Sequence, residues 1–380
     1  MAVRIWFNGI WPDRMHLLPL LRENPDGAEV RVFGTHTNPA APALRACDVA
    51  GTEPAADDEF FGFALDFCRR HGIDAVMPSA RLAAFGDRAA AFAGIGTAVM
   101  CSPAATARLV TGKSRMYAAA ADAHVPLAPW RVITDADGLR NAVEELAESC
   151  GPLCLKPAGE YSADGFRILD DAPQELSDLE LPPRPRVSVA DAADALRRAE
   201  ERGEPVRAFI VMPYLDPPEI SVDCLSDPAG TLLAAVPRAK EGKVRTLLEA
   251  PEPTEFARRV VGRFPLTYLS NVQFRHWNGR PVLLEANARA SAGLYQTALA
   301  GVNLVWAAVR LLLYGDPGEL PRPRPGGRLV VVHHAIALSE PVRARASAQG
   351  RDEGPVAPGD RSSGGPAAGA RRPVPPLRRG

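Results

Sequence analysis

Charge imbalance is the first thing missing from this chain of 380 residues, in which 44 Lys and Arg stand against 45 Asp and Glu. Without a basic field, neither a nucleic-acid backbone nor an anionic membrane surface has an electrostatic hold on it. No run of about 18 apolar residues occurs, so no membrane span is expected. The opening stretch MAVRIWFNGIWPDRMH lacks an apolar core of about seven residues behind a basic start, so the expectation is no secretory leader and a cytoplasmic location. Paired-cysteine motifs are also missing. The closest of the six cysteines, Cys150 and Cys154, have three residues between them rather than the two of zinc and redox motifs, which predicts reduced, buried thiols. His333 and His334 are adjacent, fall on opposite faces of any strand and cannot chelate together. The first turn, NGIWPD, lacks the GxGxxG spacing that seats a dinucleotide pyrophosphate, which argues against NAD.

What remains is a chain of ordinary globular composition, 46% hydrophobic and 23% charged, long enough for two or three domains. Small-molecule chemistry is the better expectation. Short apolar runs at 3 to 7, 29 to 33, 74 to 79 and 96 to 102 alternate with amphipathic stretches at 14 to 23, 57 to 71 and 81 to 92. That rhythm predicts an N-terminal α/β domain with an open parallel sheet over 1 to 110. Helices are expected at 103 to 109 and 113 to 123. Strand candidates at 129 to 133, 152 to 157 and 165 to 169 surround a helix at 135 to 149, and another helix covers 189 to 202, giving a small α+β lobe over 111 to 206. A Pro-rich stretch, 181 to 187, marks a linker or insertion within it. From 207 to 338 the pattern becomes antiparallel, with strands at 207 to 212, 219 to 225 and 231 to 237, a further pair flanking HWNGR, a helix at 301 to 314 and a late strand within 328 to 338. Residues 339 to 380 are Gly, Pro, Ser, Ala and Arg with few large apolar groups, the composition of a disordered tail.

Chemistry concentrates in 271 to 293, NVQFRHWNGRPVLLEANARASAG. Glu285 and Asn287 lie two apart at the end of an apolar strand, so their side chains leave the same face. Carboxylate and amide oxygens suit Mg²⁺, which completes its shell with water and substrate phosphates. Arg289 stands beside them to neutralise phosphate. A solvated strand end is the bland account of such a pair, and two further segments weigh against it. LCLKPAGEYSADGFRIL puts Lys156 at a strand end before a loop with Gly159 and Gly165, where backbone amides approach phosphate oxygens. FIVMPYLDPPEISVDCL gives a strand, a short apolar connector and an acidic residue on the next strand, suited to an adenine edge and a ribose.

In this order the three segments resemble the ATP-grasp superfamily, in particular its carbamoyl-phosphate synthase large-subunit type, over roughly 1 to 315. The resemblance implies two α+β lobes of ATP-grasp type behind the N-terminal sheet. It implies a nucleotide site built from Lys113, Lys156, Gly165, Met212, Tyr214, Leu215 and Glu219, and a metal site from Gln273, Glu285 and Asn287. Arg289 and Arg238 are then expected at the reacting carboxylate or acyl-phosphate, with Arg245 as a further candidate. ATP and one or two Mg²⁺ are the implied cofactors, with Mn²⁺ as a substitute. The implied reaction joins a small-molecule carboxylate to an amine through an acyl-phosphate, and a homodimer is allowed. IWFN, LLRENPDG and VFGTHTNPAAPALRACD are also similar to a bacterial subgroup associated with tellurium-resistance operons. Three departures stand out: Ser162 and Ala163 replace the paired flap glycines, Ala288 follows Asn287 in place of Pro, and Gly112 precedes Lys113 in place of Asp. A nucleotide-binding relic is the alternative they raise. A P-loop phosphotransferase is disfavoured, because TGKS at 111 to 114 has Ala107 where the motif needs glycine.

One geometric expectation concerns the hairpin at Asn278 and Gly279. A two-residue type I′ turn pairs Gln273 with Leu284 and sends Gln273 and Glu285 to opposite faces. A three-residue loop with a G1 bulge keeps both on one face and gathers Val272, Phe274, Val282, Leu284 and Ala286 on the other. Ligand convergence and a clean apolar face both select the longer loop.

Overall fold

The computed structural model describes residues 2 to 159, 165 to 173, 175 to 176 and 185 to 332. The altered flap positions Ser162 and Ala163, most of the Pro-rich stretch, His333, His334 and the tail lie outside them.

Five short strands, β1 (Val3–Phe7), β2 (Val30–His36), β3 (Val49–Thr52), β4 (Ala75–Val76) and β5 (Ala98–Val99), form a sheet in the order β3-β2-β1-β4-β5. Every pairing in it is parallel, as the alternation of runs and helices requires. The helix Asp57–His71 carries Asp57, Asp58 and Glu59 in its first turn and Arg69, Arg70 and His71 in its last, each sign at the helix end whose dipole it complements. Gly72, left-handed at φ 56°, ends it. Strand order reverses between β1 and β4, so their carboxyl ends open a crevice at Asn8 and Ser79.

The second sheet comprises β6 (Arg131–Ile133), β7 (Leu153–Pro157), β8 (Arg167–Leu169), β9 (Arg186–Val187) and β10 (Phe209–Pro213), ordered β6-β10-β7-β8-β9. The helices Ala136–Ala147 and Val189–Glu201 pack beside it, capped by Asp135 and Ser188, whose side chains accept from Gly138 N and Asp191 N. Leu139, Leu155, Leu196 and Val211 give this lobe a core of its own. Strand β10, grouped from sequence with the later antiparallel strands, instead inserts antiparallel between β6 and β7. Its run FIVMP is apolar on both faces and suits an inner position.

The third sheet runs β15-β14-β11-β12-β13-β16, all antiparallel, from β11 (Asp216–Ser226), β12 (Leu232–Glu241), β13 (Val244–Leu247), β14 (Tyr268–Trp277), β15 (Arg280–Asn287) and β16 (Arg328–Val330). A helix at Pro251–Arg263, not expected from the sequence, buries Phe256, Val260 and Val261. The helix Leu304–Tyr314 joins the first and third sheets: Ile5, Leu18, Leu225, Leu269 and Trp306 belong to one apolar cluster.

The β14–β15 hairpin corrects the expected loop. Trp277 pairs with Arg280, and the two residues between them, Asn278 and Gly279, take φ of 50° and 73°, as in a type I′ turn. The register then shifts: Phe274 faces Leu283, but Gln273 faces Glu285, so Leu284 is an extra residue in a β-bulge. Neighbours satisfy the loosened backbone, since Tyr117 Oη donates to Leu284 O at 2.7 Å and Leu283 N donates to Pro126 O at 2.9 Å. Gln273 and Glu285 therefore share a face by a different route. Val272, Phe274, Val282, Leu283 and Ala286 fill the core on the other side, and Leu284, expected among them, turns to the cavity wall.

Candidate active site

The face of the third sheet that carries Gln273 and Glu285 closes against the second sheet around a cavity of ≈ 650 Å³, of a size that takes a small-molecule ligand. The bulge delivers Glu285 and Asn287 to its wall, and Asn287 Nδ2 donates to Glu285 Oε1 at 3.0 Å. Gln273 also lines it, its Nε2 donating to Asn271 Oδ1 at 2.9 Å. Asn271 is held from below, donating through Nδ2 to Asp223 Oδ1 and Ser221 Oγ, both at 2.8 Å. A buried polar chain thus fixes the rotamers of the exposed donors.

Two lysines reach this wall from different elements. Lys113 opens the helix Lys113–Ala121, its backbone N donating to Ala158 O at 2.8 Å and its Nζ standing 3.9 Å from Glu285 Oε2. Lys156 extends from β7. It lies at the strand end where the sequence placed it, is only 8% exposed, and its Nζ donates to Tyr117 Oη at 2.7 Å. Burial draws its ammonium down to about 8, against smaller opposing effects from Cys154 and Glu285. Burial likewise pushes the Tyr117 hydroxyl far up, keeping it neutral.

Phe166, Tyr214 and Glu219 line the cavity as well, with Glu219 Oε1 3.6 Å from Lys240 Nζ. Gly165 has φ of 76°, and a Cβ there would lie 2.7 Å from Pro157 Cγ, so only glycine fits that bend. The side chains of Met212 and Leu215, expected at the nucleotide, lie in the core instead, 2% and 3% exposed. Met212 Sδ is 4.0 Å from Tyr117 Oη, and Leu215 supplies its carbonyl to Arg275 Nη1 at 3.0 Å. Their run is apolar enough to be claimed by packing on both sides.

A family model described as ATP-grasp in the biosynthetic pathway with Ter operon matches residues 205–335. The biotin carboxylase domain of Hydrogenobacter thermophilus 2-oxoglutarate carboxylase, solved with MgADP, ADP and bicarbonate, superposes with a TM-score of 0.61 at 15% identity, covering 86% of this chain and 74% of that one. The chain has the ATP-grasp fold. N5-carboxyaminoimidazole synthetase from Staphylococcus aureus (TM-score 0.58, 12% identity, 84% and 79% covered) shares it. So does an L-amino acid ligase from Bacillus licheniformis (TM-score 0.55, 13% identity, 82% and 74% covered). No curated protein matches the chain. Over residues 205–335 the family model agrees with the superfamily and the Ter-associated subgroup that the sequence resembles. No single helix among the described residues is long and apolar enough to cross a membrane.

Within this ATP-grasp fold, Arg289 lines the cavity and donates through Nη1 to Ala290 O at 3.1 Å. Arg238 departs from its expected place at the reacting groups. It is 4% exposed, its Nε donates to Asp223 Oδ2 at 2.8 Å and its Nη2 to Ser291 Oγ at 2.9 Å. An arginine beside a buried carboxylate is claimed by it, because leaving Asp223 unpaired costs more than any exposed contact returns. Arg245 donates from Nη1 to the carbonyls of Gly242 and Val244. Tyr117 and Asp223 were missed as site residues. The signal for Tyr117 was present, since it follows Lys113 by four positions on one helix and so faces the same way.

No group of three or more His, Cys, Asp or Glu that could hold a metal occurs among the described residues. The donor set at the wall is one carboxylate, Glu285, with the amide oxygens of Gln273 and Asn287. That set fits a hard cation such as Mg²⁺, provided phosphate oxygens complete the shell.

Proposed function

We propose that the protein is an ATP-dependent ligase that joins a carboxylate to an amine through an acyl-phosphate. One observation carries the reading: Lys113 and Lys156, from separate elements, converge with Glu285, Asn287 and Gln273 on one cavity of ≈ 650 Å³. In this reading Lys113 and Lys156 hold the phosphate oxygens, Glu219 accepts from the ribose hydroxyls, and Phe166 and Tyr214 flank the base. Arg289 meets the charge that develops as the γ-phosphoryl passes to the carboxylate, a step that depends on positioning and charge neutralisation. Mg²⁺, held by Glu285 with Asn287 and Gln273, would supply charge neutralisation between the phosphates. The lobe of residues 111 to 213 acts as the clamp over the nucleotide, residues 1 to 110 form the domain before it, and a cytoplasmic location suits a consumer of ATP.

The test is ADP formation with MgATP and panels of carboxylates and amines, with hydroxylamine added to trap any acyl-phosphate as a hydroxamate. Glu285→Gln should abolish turnover while a non-hydrolysable ATP analogue still binds. Nucleotide binding with no hydroxamate from any carboxylate would mark a nucleotide-binding protein without ligase chemistry. Failure of wild-type protein to bind MgATP would overturn the reading outright.

A further inference from the structure

Three acids line the large cavity: Asp13, Glu219 and Glu285. Glu219 faces Lys240, and Glu285 faces Lys113 and Asn287. Asp13, from the N-terminal domain, differs. Its Oδ1 is buried and has no hydrogen-bond partner among the described residues, a costly state for a carboxylate unless a ligand supplies the donor.

Its position is fixed rather than incidental. Asp13 lies in the short 3₁₀ helix Pro12–Leu17, two other residues of which, Arg14 and His16, are anchored on the segment after β15. Arg14, 4% exposed, donates through Nη1 to Ala290 O at 3.0 Å, and the His16 ring lies 4.7 Å from that of Tyr295. Asp13 is thereby held against the stretch that contributes Arg289 and Ser291 to the same cavity. A second buried atom without a partner among the described residues lies nearby. Ser79 Oγ, just past the carboxyl end of β4, belongs to a residue lining a recess of ≈ 30 Å³ whose walls include Arg14 and Arg289, the latter also lining the large cavity. This is the switch point of the N-terminal sheet, where open parallel sheets present ligands.

We propose that Asp13 receives the ammonium group of an amino-acid-type substrate, one bearing both an ammonium and a carboxylate, with the carboxylate turned toward Arg289. The assignment rests on the ligase reading and names the substrate class that the N-terminal domain admits. A carboxylate oxygen without a hydrogen-bond donor and an arginine lining the same cavity are the two groups that a zwitterion satisfies together, and an N-acylated analogue leaves Oδ1 unpaired.

The experiment compares ADP and hydroxamate formation with MgATP, hydroxylamine as the common amine acceptor, and each proteinogenic L-amino acid, the same set N-acetylated, and the corresponding decarboxylated amines. A non-hydrolysable ATP analogue is titrated in parallel. The expected result is turnover with one or more free amino acids and none with their N-acetylated forms. Asp13→Asn should raise KM for the active amino acid by about 30-fold or more with analogue affinity unchanged. Equal turnover with N-acetylated substrates, an unchanged KM in Asp13→Asn, or no response to any free amino acid while the analogue binds would each overturn the proposal. The wild-type comparison of free and acetylated substrates decides the matter even if Asp13→Asn fails to fold. Loss of analogue binding by wild-type protein would instead strike the ligase reading.

Discussion

Burial costs the Lys156 ammonium most of its hydration, and the Tyr117 hydroxyl 2.7 Å away replaces only part of it, which is why the group titrates near 8 rather than at the ordinary 10.5. Between those two values the unfolded chain binds a proton that the folded chain does not. This group therefore makes stability rise with pH from about 8 to 10.5, and below 8 its penalty is constant. Nucleotide binding in the proposed reading runs the other way, because phosphate oxygens need the charged form. Affinity for MgADP should fall as pH rises through about 8, a trend that titration calorimetry between pH 7 and 9.5 will show. Tyr117→Phe removes the oxygen that accepts from Lys156 and donates to Leu284 O. It should destabilise the fold by about 1 to 3 kcal/mol and move the affinity midpoint to lower pH. A profile that is flat in wild type, or identical in Tyr117→Phe, would detach Lys156 from the phosphates.

Strands and helices with clean periodicity were legible because neighbours along the chain determine them. The helix Asp57–His71 and the two-residue spacing of Glu285 and Asn287 on β15 are examples. The helix Pro251–Arg263 was not, since PEPTE at its start reads as a turn until Phe256, Val260 and Val261 are seen to bury one stripe. The bulge at Leu284 was hidden for a stronger reason. Nothing in HWNGRPVLLEAN specifies it; the partners that stabilise it, Tyr117 and Pro126, come from another part of the chain. The same holds for Arg238 on β12, whose basic context suggested substrate contact but whose guanidinium binds Asp223 on the adjacent β11. Arg238→Ala strands Asp223, 0% exposed, without its counter-charge, and should cost about 3 to 5 kcal/mol in denaturant unfolding. A loss below about 1 kcal/mol combined with lost turnover would return Arg238 to the reacting groups.

Across the molecule, the cavity draws on the second and third sheets and on the 3₁₀ helix Pro12–Leu17, and the least legible contribution is the most distant in sequence: Asp13 and Arg14 reach the segment 289 to 291 across more than half the chain. The cores divide unequally. Ile5, Leu18, Leu269 and Trp306 share one cluster, reinforced where Trp306 Nε1 donates to Asp26 Oδ2 at 2.8 Å and Asn303 Nδ2 to Leu20 O at 2.7 Å. The second sheet has its own smaller core, with Leu139, Leu155, Leu196 and Val211. Elements that share a core lose it together, while a lobe with a private core can open alone. Hydrogen exchange read by mass spectrometry should therefore give peptides from β1, β2 and the helix Leu304–Tyr314 a common, high opening free energy. Peptides spanning 131 to 157 and 189 to 213 should exchange sooner. MgADP, which in the proposed reading bridges Lys156 of the second sheet to Glu285 of the third, should slow the second lobe most, because ligand binding adds its free energy to any opening that breaks the site. If β1 and β2 exchange ahead of the helix Leu304–Tyr314, the shared core does not act as a unit. If nucleotide leaves the second lobe unchanged, that lobe is not the clamp.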